Sequence, residues 1–122
     1  MKFPRIHTDD RGETHIGIRE VADQEARVGL PPNPVGLMAD FGAVSGMFVF
    51  SVSAGTEVPA HTAPYPYTCI VPSGEGEVAT SDGATLHLCP GELIFCDDLS
   101  GKGHLTRART DVVVAFVNRT AS

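Results

Sequence analysis

Residues 55–78, GTEVPAHTAPYPYTCIVPSGEGEV, and residues 90–104, PGELIFCDDLSGKGH, decide how this chain folds. Both are short apolar runs broken by Pro and Gly, the pattern of strands in a small all-β barrel or sandwich. Each carries one histidine, His61 in the first and His104 in the second. Strands of a small barrel send alternate side chains inward, so two such imidazoles can share one cavity.

The pattern continues on either side. Strands are expected over residues 3–7, 15–20, 44–53, 67–71, 77–81, 85–88, 93–97, 104–107 and 112–117. Ser81-Asp82-Gly83 reads as a hairpin turn, because Asp-Gly accepts positive φ, and Pro90-Gly91 reads as a second turn. Between Val21 and Gly42 the alternation fails. Residues 22–28 read as a helical turn or two, and Pro31, Pro32 and Pro34 remove ladder donors. This segment is expected to wrap the barrel as a loop, with Leu37, Met38 and Phe41 packed against it. In residues 44–53, Phe48, Phe50 and Val52 share one parity with serines on the other, which places the phenylalanines inside.

The totals set bounds. The chain has 122 residues, the size of one domain, and 42% of them are apolar. We read residues 1–43 as N-terminal strands and the Pro-rich loop, and residues 44–117 as the barrel. A formal charge of -6 disfavours nucleic acid and anionic membrane surfaces as partners. The longest apolar run, residues 112–117, has strand length, and the opening MKFPRIHTDD lacks the apolar stretch of a signal peptide. The expectation is a soluble, cytoplasmic protein. Three cysteines without a CxxC spacing fit a reducing compartment better than a disulfide or zinc framework.

The two quoted stretches resemble the motifs of the cupin superfamily, small jelly-roll β-barrels. Gly55, His61 and Gly74 fall in the frame of the first cupin motif, and Pro90-Gly91 with His104 in that of the second. The resemblance covers roughly residues 44–117 and implies a cupin-type barrel. Cupins usually hold a metal with three His and one Glu. Here the second histidine of the motif falls on Ala63 and the glutamate on Tyr67. The resemblance also implies a homodimer, with residues 3–7 as the strand exchanged between copies.

Two imidazoles alone make a poor site for a divalent ion, since catalytic sites generally take three protein ligands. Positions 61, 63 and 67 differ by even steps, so an unbroken strand would point all three inward. The site is then a pocket refitted with a methyl group and a phenol. An imidazole titrates near neutrality and suits a general base, while a phenol donates a proton or hydrogen bond. The catalytic candidates are therefore His61, His104, Tyr67 and Asp98. Asp98, six residues before His104, either orients that ring or stabilises the intervening turn. Phe48, Phe50, Tyr65 and Cys69 are the candidates for shaping a substrate pocket.

The leading expectation is a small enzyme using metal-independent acid–base chemistry on a small oxygenated metabolite, of isomerase, cyclase or dehydratase (lyase) type, with no cofactor. One alternative is a metal-dependent oxygenase, lyase or isomerase with a reduced His61/His104 site. The other is a non-catalytic cupin that binds a small ligand, the same polar residues being satisfied within the barrel.

Overall fold

The computed structural model describes residues 1–120. These form twelve strands, and no helix is long and apolar enough to cross a membrane. The strands are β1 (Lys2–Thr8), β2 (Thr14–Glu20), β3 (Asp23–Arg27), β4 (Val35–Ala39), β5 (Val44–Val52) and β6 (Glu57–His61). They continue with β7 (Tyr67–Ser73), β8 (Gly76–Thr80), β9 (Thr85–Leu88), β10 (Leu93–Cys96), β11 (His104–Ala108) and β12 (Val112–Arg119).

Two sheets face each other, as in a jelly-roll barrel. The larger has the order β2-β1-β10-β7-β12-β5 and the smaller β6-β11-β8-β9. β1 runs parallel to β10, and the other neighbours in the two sheets are antiparallel. The barrel thus draws on residues before Val44, because β1 and β2 belong to its larger sheet. β1 is bonded on both edges within its own chain, so it is not an open strand awaiting a partner.

Inward side chains alternate as the pleat requires. Ile6, Val71 and Ile94 are almost fully buried and meet Val78, Leu88, Val112 and Val114 between the sheets. Each such side chain stabilises the fold by about 1.5–3 kcal/mol relative to exposure. β10 is covered on both faces. Ile94 and Cys96 point inward, while Phe95 faces out under Phe41 (ring centroids 4.9 Å) and Phe3 (5.9 Å). The guanidinium groups of Arg19 and Arg119 lie 4.6 and 4.7 Å from the Phe95 centroid. Arg119 also pairs with Asp97, which accepts a second bond from Arg5 at 2.7 Å.

Two expectations need correction. Residues 21–42 do not wrap the barrel and contain no helical turn. β3 pairs with β4 from Asp23↔Ala39 to Arg27↔Val35, and the three prolines sit in the connection between them. Proline breaks a ladder only where it stands, and both flanking segments are free of it. Leu37 and Met38 are exposed, and only Phe41 packs on the barrel wall. β5, second, does not bury its phenylalanines. It is the outermost strand of a six-stranded sheet faced by only four strands, and Phe48 is 60% exposed. Parity sets a direction, but burial needs something opposite.

Candidate functional site

The site begins with a cross-strand pair. His61 ends β6 and His104 opens β11, and the two are directly opposed in the smaller sheet. Their ring centroids lie 4.7 Å apart. The ladder slips next to them: His104↔His61 is followed by Thr106↔Val58, three steps on β6 against two on β11. β6 lies at the edge of its sheet, where such a bulge and Pro59 are tolerated. Gly103 makes the approach possible. Its φ is +73°, and a Cβ there would collide with the backbone of His61 and Thr62.

Each imidazole has its Nδ1 occupied. The Nδ1–H of His61 donates to the Pro59 carbonyl at 2.9 Å. That of His104 donates to Asp98 Oδ2 at 2.6 Å, and both partners in this second pair are buried. A carbonyl or ionised carboxylate only accepts, so in each ring Nε2 is the unprotonated nitrogen of the neutral tautomer. Asp98 is fixed in turn, its own carbonyl accepting from Ala63 N at 2.9 Å. Its Oδ1 has no partner among the described residues.

Tyr67 faces this pair from the other sheet, at the start of β7. Its ring meets Phe116 edge-on, with centroids 5.0 Å apart. Burial, reinforced by the neighbouring Cys96 thiol, pushes the phenol far above its ordinary pKa. Tyr67 is therefore a neutral donor at any physiological pH. Burial pushes the Cys69 thiol up to about 12 and raises Cys96 well above the usual thiol value. Neither is a ready nucleophile.

These groups line a cavity of about 290 Å³ between the sheets. His61 and His104 are at one side and Tyr67, Cys69 and Cys96 at another, with aliphatic side chains and Phe116 filling most of the wall. His61 is exposed and marks the mouth.

The predicted residues fall into three groups. His61, His104, Tyr67 and Cys69 come together in the cavity, with Asp98 behind His104 rather than in the wall. Phe50 lines the cavity but is half exposed. Phe48 and Tyr65 do not line it, against expectation; Tyr65 is 61% exposed, because residues 62–66 cross between the two sheets as a loop. An unbroken strand from 61 to 67 is not formed either. His61 and Tyr67 converge from opposite sheets, not from one face of one strand. Cys96 and Phe116 escaped the sequence reading, although Cys96 shares parity with Ile94 and Asp98, and Phe116 with Val112 and Val114.

No family model and no curated protein matches this sequence. Solved structures do resemble it. An ectoine synthase from P. lautus is 26% identical with a TM-score of 0.51, over 59% of this chain and 51% of that one. A conserved protein of unknown function from Streptococcus pyogenes is 24% identical with a TM-score of 0.51, over 69% and 72%. An RmlC-like cupin protein from Desulfovibrio desulfuricans is 25% identical with a TM-score of 0.48, over 59% and 69%. The fold is that of a small cupin-type jelly-roll barrel. The aligned part spans only about half (51%) of the ectoine synthase.

The metal that cupins usually hold does not fit the residues of this barrel. Ala63, buried in the core, and Tyr67, held as a neutral phenol, stand at two of the four ligand positions. Among the described residues no three or more His, Cys, Asp or Glu gather around one point.

Proposed function

We propose that this cupin is an enzyme that moves protons on a small oxygenated metabolite without a metal, by isomerase, cyclase or dehydratase chemistry. The observation that carries this reading is the buried Asp98–His104 pair at 2.6 Å opening onto an apolar cavity that also holds a neutral Tyr67. Asp98 steadies the imidazolium that forms when His104 Nε2 accepts a proton from carbon beside a carbonyl. Tyr67 donates a hydrogen bond to the carbonyl oxygen as its charge develops. His61, at the mouth, takes a proton from water at Nε2 and delivers it to the intermediate, while the proton held on His104 Nε2 passes to water, so both rings return to their neutral form. The cavity wall favours a substrate with an apolar body and one carbonyl end. The likeness to a protein named a synthase adds support for an enzymatic use of this barrel.

The test is α-proton exchange in D2O, followed by NMR, on a panel of small cyclic ketones and lactones. Wild-type protein accelerates exchange on at least one of them. His104→Ala lowers the rate by about 10²–10⁴-fold, the usual share of a positioned base, and Tyr67→Phe by about 10²–10³-fold. Exchange that both variants support at the wild-type rate removes the acid–base reading. Binding that survives both substitutions, with no exchange on any compound, favours a non-catalytic ligand-binding cupin.

A further inference from the structure

The larger sheet turns one face to the cavity, and its other face gathers three arginines around one carboxylate. Ile6, Cys69 and Ile94 point inward, so the alternate positions Arg5, Thr68 and Phe95, which are register partners across β1, β10 and β7, point outward. Arg19, opposite Phe3 on β2, and Arg119 at the end of β12 reach the same place, where both guanidinium groups stack on Phe95. Asp97, only 5% exposed, meets all three. It accepts from Arg5 Nε at 2.7 Å, pairs with Arg119 Nη2, and lies 3.7 Å from Arg19 Nη1. Among the described residues no other carboxylate pairs with any of the three arginines. One negative charge therefore faces three positive ones.

The hydrogen bonds do not close either. Arg119 is 4% exposed, yet its Nε and Nη1 have no partner among the described residues. The buried Thr68 hydroxyl, on the same face, has none. Arg119 donates only through Nη2, to Asp97 and to the Tyr67 carbonyl. Arg5 donates only through Nε, and the Arg19 contact is too long for a hydrogen bond. Buried donors of an ionised group left unbonded are among the costlier defects a fold can carry. Stacking on Phe95 holds the guanidinium planes and leaves their N–H edges available.

We infer that this outer face binds a small oxyanion, a phosphate or carboxylate group, between Arg5, Arg19 and Arg119. A water molecule would accept hydrogen bonds there but bring no charge, and the uncompensated charge is what selects an anion. The way in lies past Arg5 and Arg19, whose side chains are 39% and 32% exposed and long enough to swing aside. The anion then accepts from their free ends, from Arg119 and from the Thr68 hydroxyl. The site is separate from the cavity: Asp97 faces outward, while Asp98 beside it turns inward to His104. This inference does not rest on the proposed chemistry.

The test titrates the isotope-labelled full chain with sodium phosphate, and separately with sodium acetate, against sodium chloride at fixed ionic strength, followed by NMR. Saturable shifts are expected at the Thr68, Phe95 and Arg119 amides and the arginine Nε–H signals, with a dissociation constant of about 1 mM or tighter. Tighter binding of phosphate assigns a phosphate group, and tighter binding of acetate a carboxylate. Arg19→Gln, with circular dichroism unchanged, weakens binding about tenfold or more. Asp97→Asn removes the internal competitor and tightens binding, which a purely internal ion-pair network would not do. If Asp97→Asn fails to fold, Arg19→Gln decides. The inference is overturned by shifts that chloride reproduces, or by no saturable shift up to about 20 mM of either anion. Wild-type affinity in Arg19→Gln overturns it as well.

Discussion

At the scale of single residues, the Asp98–His104 pair concentrates the most consequence in the fewest atoms. It is buried, its bond is short, and Asp98 Oδ1 has no partner among the described residues. Asp98→Ala leaves the His104 Nδ1–H without an acceptor inside the barrel, and is expected to cost about 3 kcal/mol in urea unfolding. Asp98→Asn keeps an acceptor oxygen at the same place but removes the charge. Its stability should stay well above that of the alanine variant, while kcat on the substrate found by proton exchange falls about 10²-fold or more with little change in KM. Equal rates in wild type and Asp98→Asn would reduce Asp98 to a packing role. The histidines themselves were legible in the sequence because Pro-Gly turns framed them. Cys96 was not, since an inward cysteine looks like any other core residue until it is seen in the cavity wall with Tyr67.

Secondary-structure elements carry two further predictions. The turn before β11 depends on Gly103, whose positive φ and missing Cβ let His104 approach His61. Gly103→Ala is expected to cost about 2 kcal/mol or more from the left-handed conformation and the collision together, and to displace His104 from Asp98. Thermal unfolding measures the first effect and the His104 NMR signals the second. The β1–β2 hairpin is latched to the β8–β9 turn by His15, whose ring bonds Asp9 at 2.6 Å and Asp82 at 2.9 Å. The Asp9 bond, followed by the Asp82 bond, raises the His15 pKa, and both carboxylates are lowered. A raised imidazole stabilises below its ordinary 6.5 and loses that as pH rises through its folded value. Lowered carboxylates stabilise above their ordinary 3.8 and lose that as pH falls. The difference in stability between wild type and His15→Gln is therefore largest near the middle of that window and shrinks towards both pH extremes. A difference that is flat with pH, measured by urea unfolding, would contradict the latch.

For the molecule as a whole, the prediction concerns the metal that cupins usually hold. Protein purified without an affinity tag should contain well below one equivalent of transition metal, and chelation should leave the exchange activity unchanged. Stoichiometric metal whose removal abolishes activity would restore the reduced His61/His104 site as the working centre. The reason for expecting otherwise is the donor set: Ala63 offers no donor, the Tyr67 phenol is held neutral by burial, and among the described residues no three His, Cys, Asp or Glu converge on one point.

The sequence by itself determined most strands, the turns between them and the jelly-roll class, because alternation and Pro/Gly punctuation are properties of a single segment. It did not reveal β3, β4 or β6. Their residues alternate too weakly, and the prolines beside or within them dominate the local reading. Position within the sheet was decided only in three dimensions. Phe48 and Phe50 have the right parity, yet an edge strand with little opposite it leaves them exposed. His61 and Tyr67 share a parity that means nothing across the break at Pro64 and Pro66, and they meet because two sheets close over one cavity. Periodicity fixes which way a side chain points along its own strand. What it meets there depends on the strand packed opposite, which no single segment encodes.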